Sequence, residues 1–308
     1  MVADIEDEPN EVEPLPNIDF NIRQGNSLIG QAKIEIERDD NGDSALDSWE
    51  QKARFEDVRK AIQKHKETES SEKARKWRQE AEERIEEHRE KFDQILQREF
   101  QDAGQNEITV DEIREWEPLH WPLEFADVFS EEGFDVVIGN PPWDQLRPSR
   151  DDFFPKYDEQ FRTRRPSEKD KIQNELLEDD EITQRWEEYQ EDIEVQMRYF
   201  TDGPKYQLQT PKVAGRKDPN ENNLAGLFVE RVFDLVKADG YVAQVLPGVI
   251  FNGSFSKDMR MKMLNESTIT SLVGFENKGI FDGIDDRYNF AVVTFKHGGV
   301  YRKPEGRL

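Results

Sequence analysis

Residues 140–143 read Asn-Pro-Pro-Trp and follow directly on an apolar run, Phe134-Asp135-Val136-Val137-Ile138-Gly139. The side-chain oxygen of Asn140 and the backbone carbonyl of Pro141, held side by side, make a pair of hydrogen-bond acceptors. Such a pair can take the two hydrogens of a planar aromatic amine, favour a tetrahedral nitrogen and point its lone pair at an electrophile such as a methyl donor. No general base is required. Pro141 and Pro142 fix φ and stiffen the loop, so little ordering is left to the moment of reaction. Trp143 would stack on the ring that carries the amine; for a nucleobase turned out of a duplex, that offsets part of the unstacking cost. The plainer alternative is a proline-rich turn that caps a strand and leaves Trp143 in the core. Average residue usage puts Asn-Pro-Pro-aromatic in a chain of 308 residues by chance about 0.3% of the time, which weighs against it.

The elements that must hold this loop can be read from periodicity. Phe134 to Ile138 is a short buried strand, and the loop lies at its carboxyl end, where open α/β sheets place their ligands. Downstream, a helix over 225–237 closes at Asp239-Gly240 and is followed by a strand, Tyr241 to Leu246. A helix over 256–265 then leads to strands 269–275 and 290–295. This alternation predicts an α/β fold with a mostly parallel sheet and helices on its faces. Upstream, Ile18 to Ile22 alternates at strand period and runs into Gln24-Gly25-Asn26-Ser27-Leu28, a turn. Between 48 and 100 there is neither Gly nor Pro, and Phe55, Val58, Ile62 and then Trp77, Ala81, Ile85, Phe92 and Leu96 recur at helical spacing. This predicts two long, charged helices turning at Glu69-Ser70-Ser71, a solvated insertion packed lightly on the main domain. A second polar stretch, 147–223, carries a helix over 180–197 and a Gly/Pro/Lys loop over 201–219. Residues 1–16 read as an acidic tail.

Composition sets limits. Hydrophobic residues make up 34% and charged residues 36%, and 43 Lys+Arg against 68 Asp+Glu leave a net charge of −25. A free-standing nucleic-acid binder is normally basic. A salt-adapted, halophilic protein reconciles the two, since concentrated ions screen the repulsion of phosphate and carboxylates keep the surface hydrated. Whatever grips nucleic acid is then locally basic or lies outside this chain. The best local candidates are Arg162-Thr163-Arg164-Arg165 and Arg216-Lys217, although ordinary solvated charges are the simpler reading. There is no cysteine, and the four histidines are scattered, so no metal site is indicated. With no signal-like or membrane-spanning apolar run, a cytoplasmic protein is expected, with no membrane partner.

Together these segments resemble the S-adenosylmethionine-dependent, adenine-specific DNA methyltransferases of the large restriction-modification type. Asn140-Pro141-Pro142-Trp143 is similar to that family's catalytic loop, with Trp143 in place of the commoner Tyr or Phe. Residues 17–28 look like its segment beside the cofactor's adenine, with Asn26 as the polar contact. Residues 227–247 are similar to the helix and strand after the catalytic loop, and residues 275–277 and 288–295 to the closing strands. The resemblance implies a partial Rossmann-like methyltransferase sheet with long helical insertions. Its parts are a first strand and turn at 17–30, a charged helical insertion at 31–115, the catalytic strand and loop at 116–146, a polar insertion at 147–223 and the closing part of the sheet at 224–308. It further implies a methyl group passed from S-adenosylmethionine to the exocyclic amine of a flipped adenine in DNA, in restriction-modification or related phage defence. Phe295 is the implied second wall of the base pocket. The family's glycine-rich cofactor loop does not occur in this sequence, so the resemblance implies a fragment, inactive alone, with a separate chain supplying that loop and the target-recognition region. Two other readings stand beside this one: a non-catalytic DNA- or protein-interaction subunit with a relic loop, and an amino-methyltransferase acting on RNA or protein.

Overall fold

The computed structural model describes residues 19–33, 45–68, 70–209, 212–213, 216–217, 223–253, 256–281 and 285–298, with backbone alone for 45–55, 212–213 and 216–217. The expected acidic tail lies outside the described residues. The chain divides into two compact units. One comprises Met1–Gln97, Thr109–Asp135 and Asp234–Gly240, and the other Arg98–Ile108, Val136–Phe233 and Tyr241–Leu308.

Helices α1 (Ala45–Glu67) and α2 (Ser71–Asp102) are the two predicted arms, belonging to the first unit up to Gln97, and α1 ends just before the expected turn. They do more than pack lightly. Val58, Ala61, Ile62, Ala81, Ile85 and Phe92 form a core cluster with Phe20, Leu123 and Ala126. Among the described side chains most of the charged remainder faces solvent, with His65, Asp93 and Glu99 buried. The stripe is narrow because apolar residues occupy one position in three or four, enough to bury a seam and no more.

Residues 19–33 correct the expectation of a first strand. They form a turn followed by irregular chain, with a single bridge residue, Asn26, paired to Pro118. Phe20 is buried but Ile22 is 73% exposed, so the alternation does not continue on one face. The backbone groups are instead satisfied by residues 117–121: Asn26 N–H donates to Glu117 O (2.7 Å), Leu119 N–H to Ile29 O (2.9 Å) and Trp121 N–H to Gln31 O (2.9 Å). Gly30, at φ +123°, makes this approach possible, since a Cβ there would lie 2.3 Å from Leu119 O. Helix α3 (Val110–Glu115) opens on a Thr109/Glu112 capping box. Two single-turn helices follow, α4 (Trp121–Glu124) and α5 (Ala126–Phe129).

The four-stranded sheet has the order β1 (Phe134–Gly139), β4 (Val236–Pro247), β6 (Asn289–His297), β5 (Ser267–Glu276). Strands β2 (Lys212–Val213) and β3 (Arg216–Lys217) form a separate small antiparallel ribbon. The expectation of a mostly parallel sheet is corrected here, because β6 pairs antiparallel with both β4 and β5. Helix–strand alternation makes β4 and β5 run the same way, but β6 returns from β5 and inserts between them, so the neighbours run in opposite directions. On one face, Val242 and Leu246 of β4 and Val293 and Phe295 of β6 are buried, and Phe233 of α9 (Leu224–Leu235) stacks on Phe295 at 5.3 Å.

The second unit also contains α6 (Arg150–Phe153), α7 (Pro166–Leu176) and α8 (Asp180–Asp202). They enclose a small aromatic core of their own, with Phe153, Phe154 and Phe161 packed against Trp186 and Tyr189. Residues 150–202 of the polar second insertion therefore form a folded body. After α9 and β4 come α10 (Val249–Asn252) and α11 (Lys257–Glu266).

Candidate functional site

Strand β1 delivers the Asn-Pro-Pro-Trp loop. Its first residue, Phe134, sits among Trp121, Phe125 and Phe129, with ring centroids 5.4–6.0 Å away. The other end is open: Val136 is 51% and Ile138 78% exposed, on the outermost strand of the sheet. At the strand's mouth, Asn140 is exposed, Pro141 buried, Pro142 exposed and Trp143 half-buried. Pro141 thus anchors the loop, and Asn140 just before it is solvent-exposed.

Trp143 is neither sealed in the core nor loose. Its indole Nε1–H donates to Val245 O of β4 at 3.4 Å. Its ring lies nearly parallel to Tyr288 (12°, centroids 5.7 Å apart), meets Phe281 edge-on at 5.2 Å and lies 5.6 Å from Phe290. Two local devices fix this aromatic group. The buried Asn277 amide holds Phe281 by accepting its N–H (2.8 Å) and donating to its carbonyl (3.1 Å). Before Tyr288, the turn is closed by Asp285, which accepts the backbone and guanidinium N–H groups of Arg287; those bonds bring its pKa down to about 2. Partial burial, with Asp144 adding negative charge, pushes the Tyr288 hydroxyl above its ordinary range. At the far end of the loop, the carbonyls of Trp143 and Asp144 accept hydrogen bonds from the start of α9.

Phe295, the expected second wall of the base pocket, is fully buried under Phe233 and lines no opening. The alternation of β6 decides this, since Phe295 belongs to the helix-covered face. The aromatic facing Trp143 is Tyr288, just before β6, and the sequence offered only the cluster Tyr288-Asn289-Phe290 as a hint. A separate open groove of about 500 Å³, lined by Phe251, Leu272, Gly274, Phe275 and Phe290, includes neither Asn140 nor Trp143.

Asn26 lies in the first unit and the loop in the second. Its side-chain oxygen accepts the N–H groups of Leu28 and Ile29, each at 3.1 Å, and so closes its own turn. The basic candidates are largely neutralised. Arg164 makes two bonds to Asp158 (2.6 and 3.0 Å), and Arg162 pairs with Asp152 and the Asp151 carbonyl. The side chains of Arg216 and Lys217 lie outside the described residues. Among the described residues, no cluster of three or more metal-ligating side chains occurs, and no helix is long and apolar enough to cross a membrane.

Comparison with known proteins matches residues 25–176 and 189–281 to the Eco57I restriction-modification methylase family model. Over 44 residues the chain is 43% identical to a Methanocaldococcus jannaschii protein described as a type II restriction enzyme and methyltransferase. That stretch is 14% of this chain and 4% of the relative's length.

Proposed function

The chain belongs to the Eco57I restriction-modification methylase family, and on that premise we propose that it carries the base-receiving half of a site-specific DNA methyltransferase that methylates the exocyclic amine of adenine. The observation that carries this reading is Asn140, exposed at the mouth of β1, directly before a buried proline and a half-buried, ring-flanked Trp143. Asn140 Oδ1 and the Pro141 carbonyl accept the two amine hydrogens and sharpen the nitrogen lone pair. A flipped base stacks on Trp143, and Tyr288 is the opposing wall. The two rings lie nearly parallel with centroids 5.7 Å apart, so they must move apart for a base to stack between them.

The methyl donor implied by the family is S-adenosylmethionine, which supplies an electrophilic methyl group when bound. Asn26, the residue expected beside it, commits its side-chain oxygen to its own turn and would present the amide nitrogen. No glycine-rich cradle stands in the sequence, so the described residues do not make a full seat for the donor, and a further polypeptide segment is proposed to complete it. Residues 31–115 and 147–223 are taken as insertions into the methyltransferase sheet.

The test is transfer of labelled methyl from S-adenosylmethionine to DNA, to RNA and to a protein extract, by the chain alone and by the chain with the product of the upstream reading frame. Methyladenine in DNA, abolished by Asn140→Ala, is the expected result. Label in cytosine, RNA or protein would reassign the substrate, and no transfer under any condition would favour an interaction subunit with a relic loop.

A further inference from the structure

We propose that Asn223, locked by Gln209, is the positioning residue of the Asn-Pro-Pro-Trp loop, so that the second insertion sets the geometry of the site. The inference rests on the methylation reading for its catalytic consequence but on hydrogen bonds alone for its structural part. Asn223 is 7% exposed and stands immediately before α9. Its Oδ1 accepts the N–H of Ala225 at 2.9 Å, an N-cap bond. That bond assigns the amide's orientation and leaves Nδ2 to donate to the Trp143 carbonyl at 3.3 Å. The next residue continues the tie, with Leu224 N–H donating to Asp144 O at 2.9 Å, and Gln145 forms a bridge with Asn223. Three successive loop residues are thereby fastened to one helix start.

Gln209 completes the lock. Its side-chain amide pairs with the Asn223 backbone in both directions: Nε2 donates to Asn223 O and Oε1 accepts Asn223 N–H, each at 3.0 Å. Gln209 is 4% exposed. It fits because residue 226 is glycine, where a Cβ would come within 2.5–2.8 Å of three atoms of the Gln209 amide. Gln209 follows α8, so it links the folded part of the insertion to Asn223, which in turn holds the loop.

Capping and positioning can be separated. Asn223→Asp keeps a good capping oxygen but removes the donor to Trp143 O and sets a carboxylate against that carbonyl. Gln209→Glu keeps the acceptor for Asn223 N–H and loses the donor. The expected outcome for Asn223→Asp is a folded chain with a lowered melting temperature, in which amide exchange over 143–145 and at Leu224 is faster by about tenfold or more relative to amides elsewhere in the sheet. In the enzyme that methylates, kcat falls by roughly tenfold to a hundredfold while KM for DNA moves little, as for a reacting group displaced by a fraction of an ångström to an ångström. Gln209→Glu shifts both readouts the same way, and it decides the matter should Asn223→Asp fail to fold. Unchanged exchange at these amides in folded variants overturns the proposal. Absence of methylation by wild-type protein would instead count against the methyltransferase reading, since the exchange measurement needs no activity.

Discussion

A side chain's place relative to the sheet decides its role more firmly than its type. Phe295 and Tyr288 are both aromatic and seven positions apart, yet one is sealed beneath Phe233 and the other faces Trp143 with 36% of its surface exposed. Phe295→Ala should therefore destabilise the fold by about 3–5 kcal/mol, as for other buried aromatic truncations, measured by urea unfolding. Tyr288→Ala should cost far less stability and instead weaken capture of a flipped base, read as the fluorescence change of 2-aminopurine placed at the target. The reverse pattern would restore Phe295 as a pocket wall. The sequence made Asn140 to Trp143 legible because four adjacent residues carry the whole pattern. It could not separate Tyr288 from Phe295, because that distinction depends on which face of β6 the α9 helix covers. Asn223 and Gln209 were harder still: their partners are 80 and 14 positions away, and an Asn before an apolar helix signals only a cap.

Among the elements, α2 is tied to the segment before β1 by a buried ionic group. Asp93, within α2, binds His120 Nε2 at 2.8 Å and Arg114 Nε of α3 at 2.6 Å, and His120 Nδ1 accepts the N–H of Gln31 at 3.2 Å. With Nδ1 an acceptor, Nε2 holds the proton and the ring is neutral. Burial pushes the His120 pKa below its ordinary 6.5, against the pull of Asp93. Burial likewise raises Asp93, but the bonds from His120 and Arg114 outweigh it and hold the carboxyl below its usual 3.8. Both folded-state pKa values are depressed, so the sign is the same. As pH falls below about 6.5 the unfolded chain binds a proton at His120 that the folded chain refuses, and the Asp93 contribution is lost lower still, below about 3.8. Stability should thus decline between pH 7 and 5, and His120→Gln should flatten that part of the urea-midpoint profile. An unchanged slope would remove His120 as its source. Elements with strong internal signals were the legible ones: α1 and α2 by their uninterrupted stripe, β1 by its apolar run, and β5 and β6 to within two or three residues. The strand expected at 18–22 does not form among the described residues because three alternating residues carry no information about a partner strand, and the backbone that pairs with residues 117–121 lies further on, at 26–31. The expected helix end, Lys237, lies two residues beyond the observed Leu235, because the Asp239-Gly240 stop signal outweighs the β-branched Val236 with which the strand begins.

For the molecule as a whole, charge is the first consideration. At −25, self-repulsion opposes compaction, and much of the basic side-chain population is engaged locally, as at Arg162, Arg164 and Lys169. Screening lengths shrink to about 3 Å at 1 M salt, so raising KCl from dilute to molar concentration should increase the melting temperature. A flat or falling dependence would argue against salt adaptation. Strand order carries a consequence for biosynthesis. The strand that joins β4 to β5 is β6, and β6 is translated after both. A ribosome that has released everything up to Tyr288 has produced two co-directional strands with no hydrogen-bonding bridge between them, and Phe233 has no aromatic floor to rest on. The sheet is therefore completed only after residues 289–297 emerge, and a nascent chain halted just short of them would present its Asn-Pro-Pro-Trp loop on a half-built support.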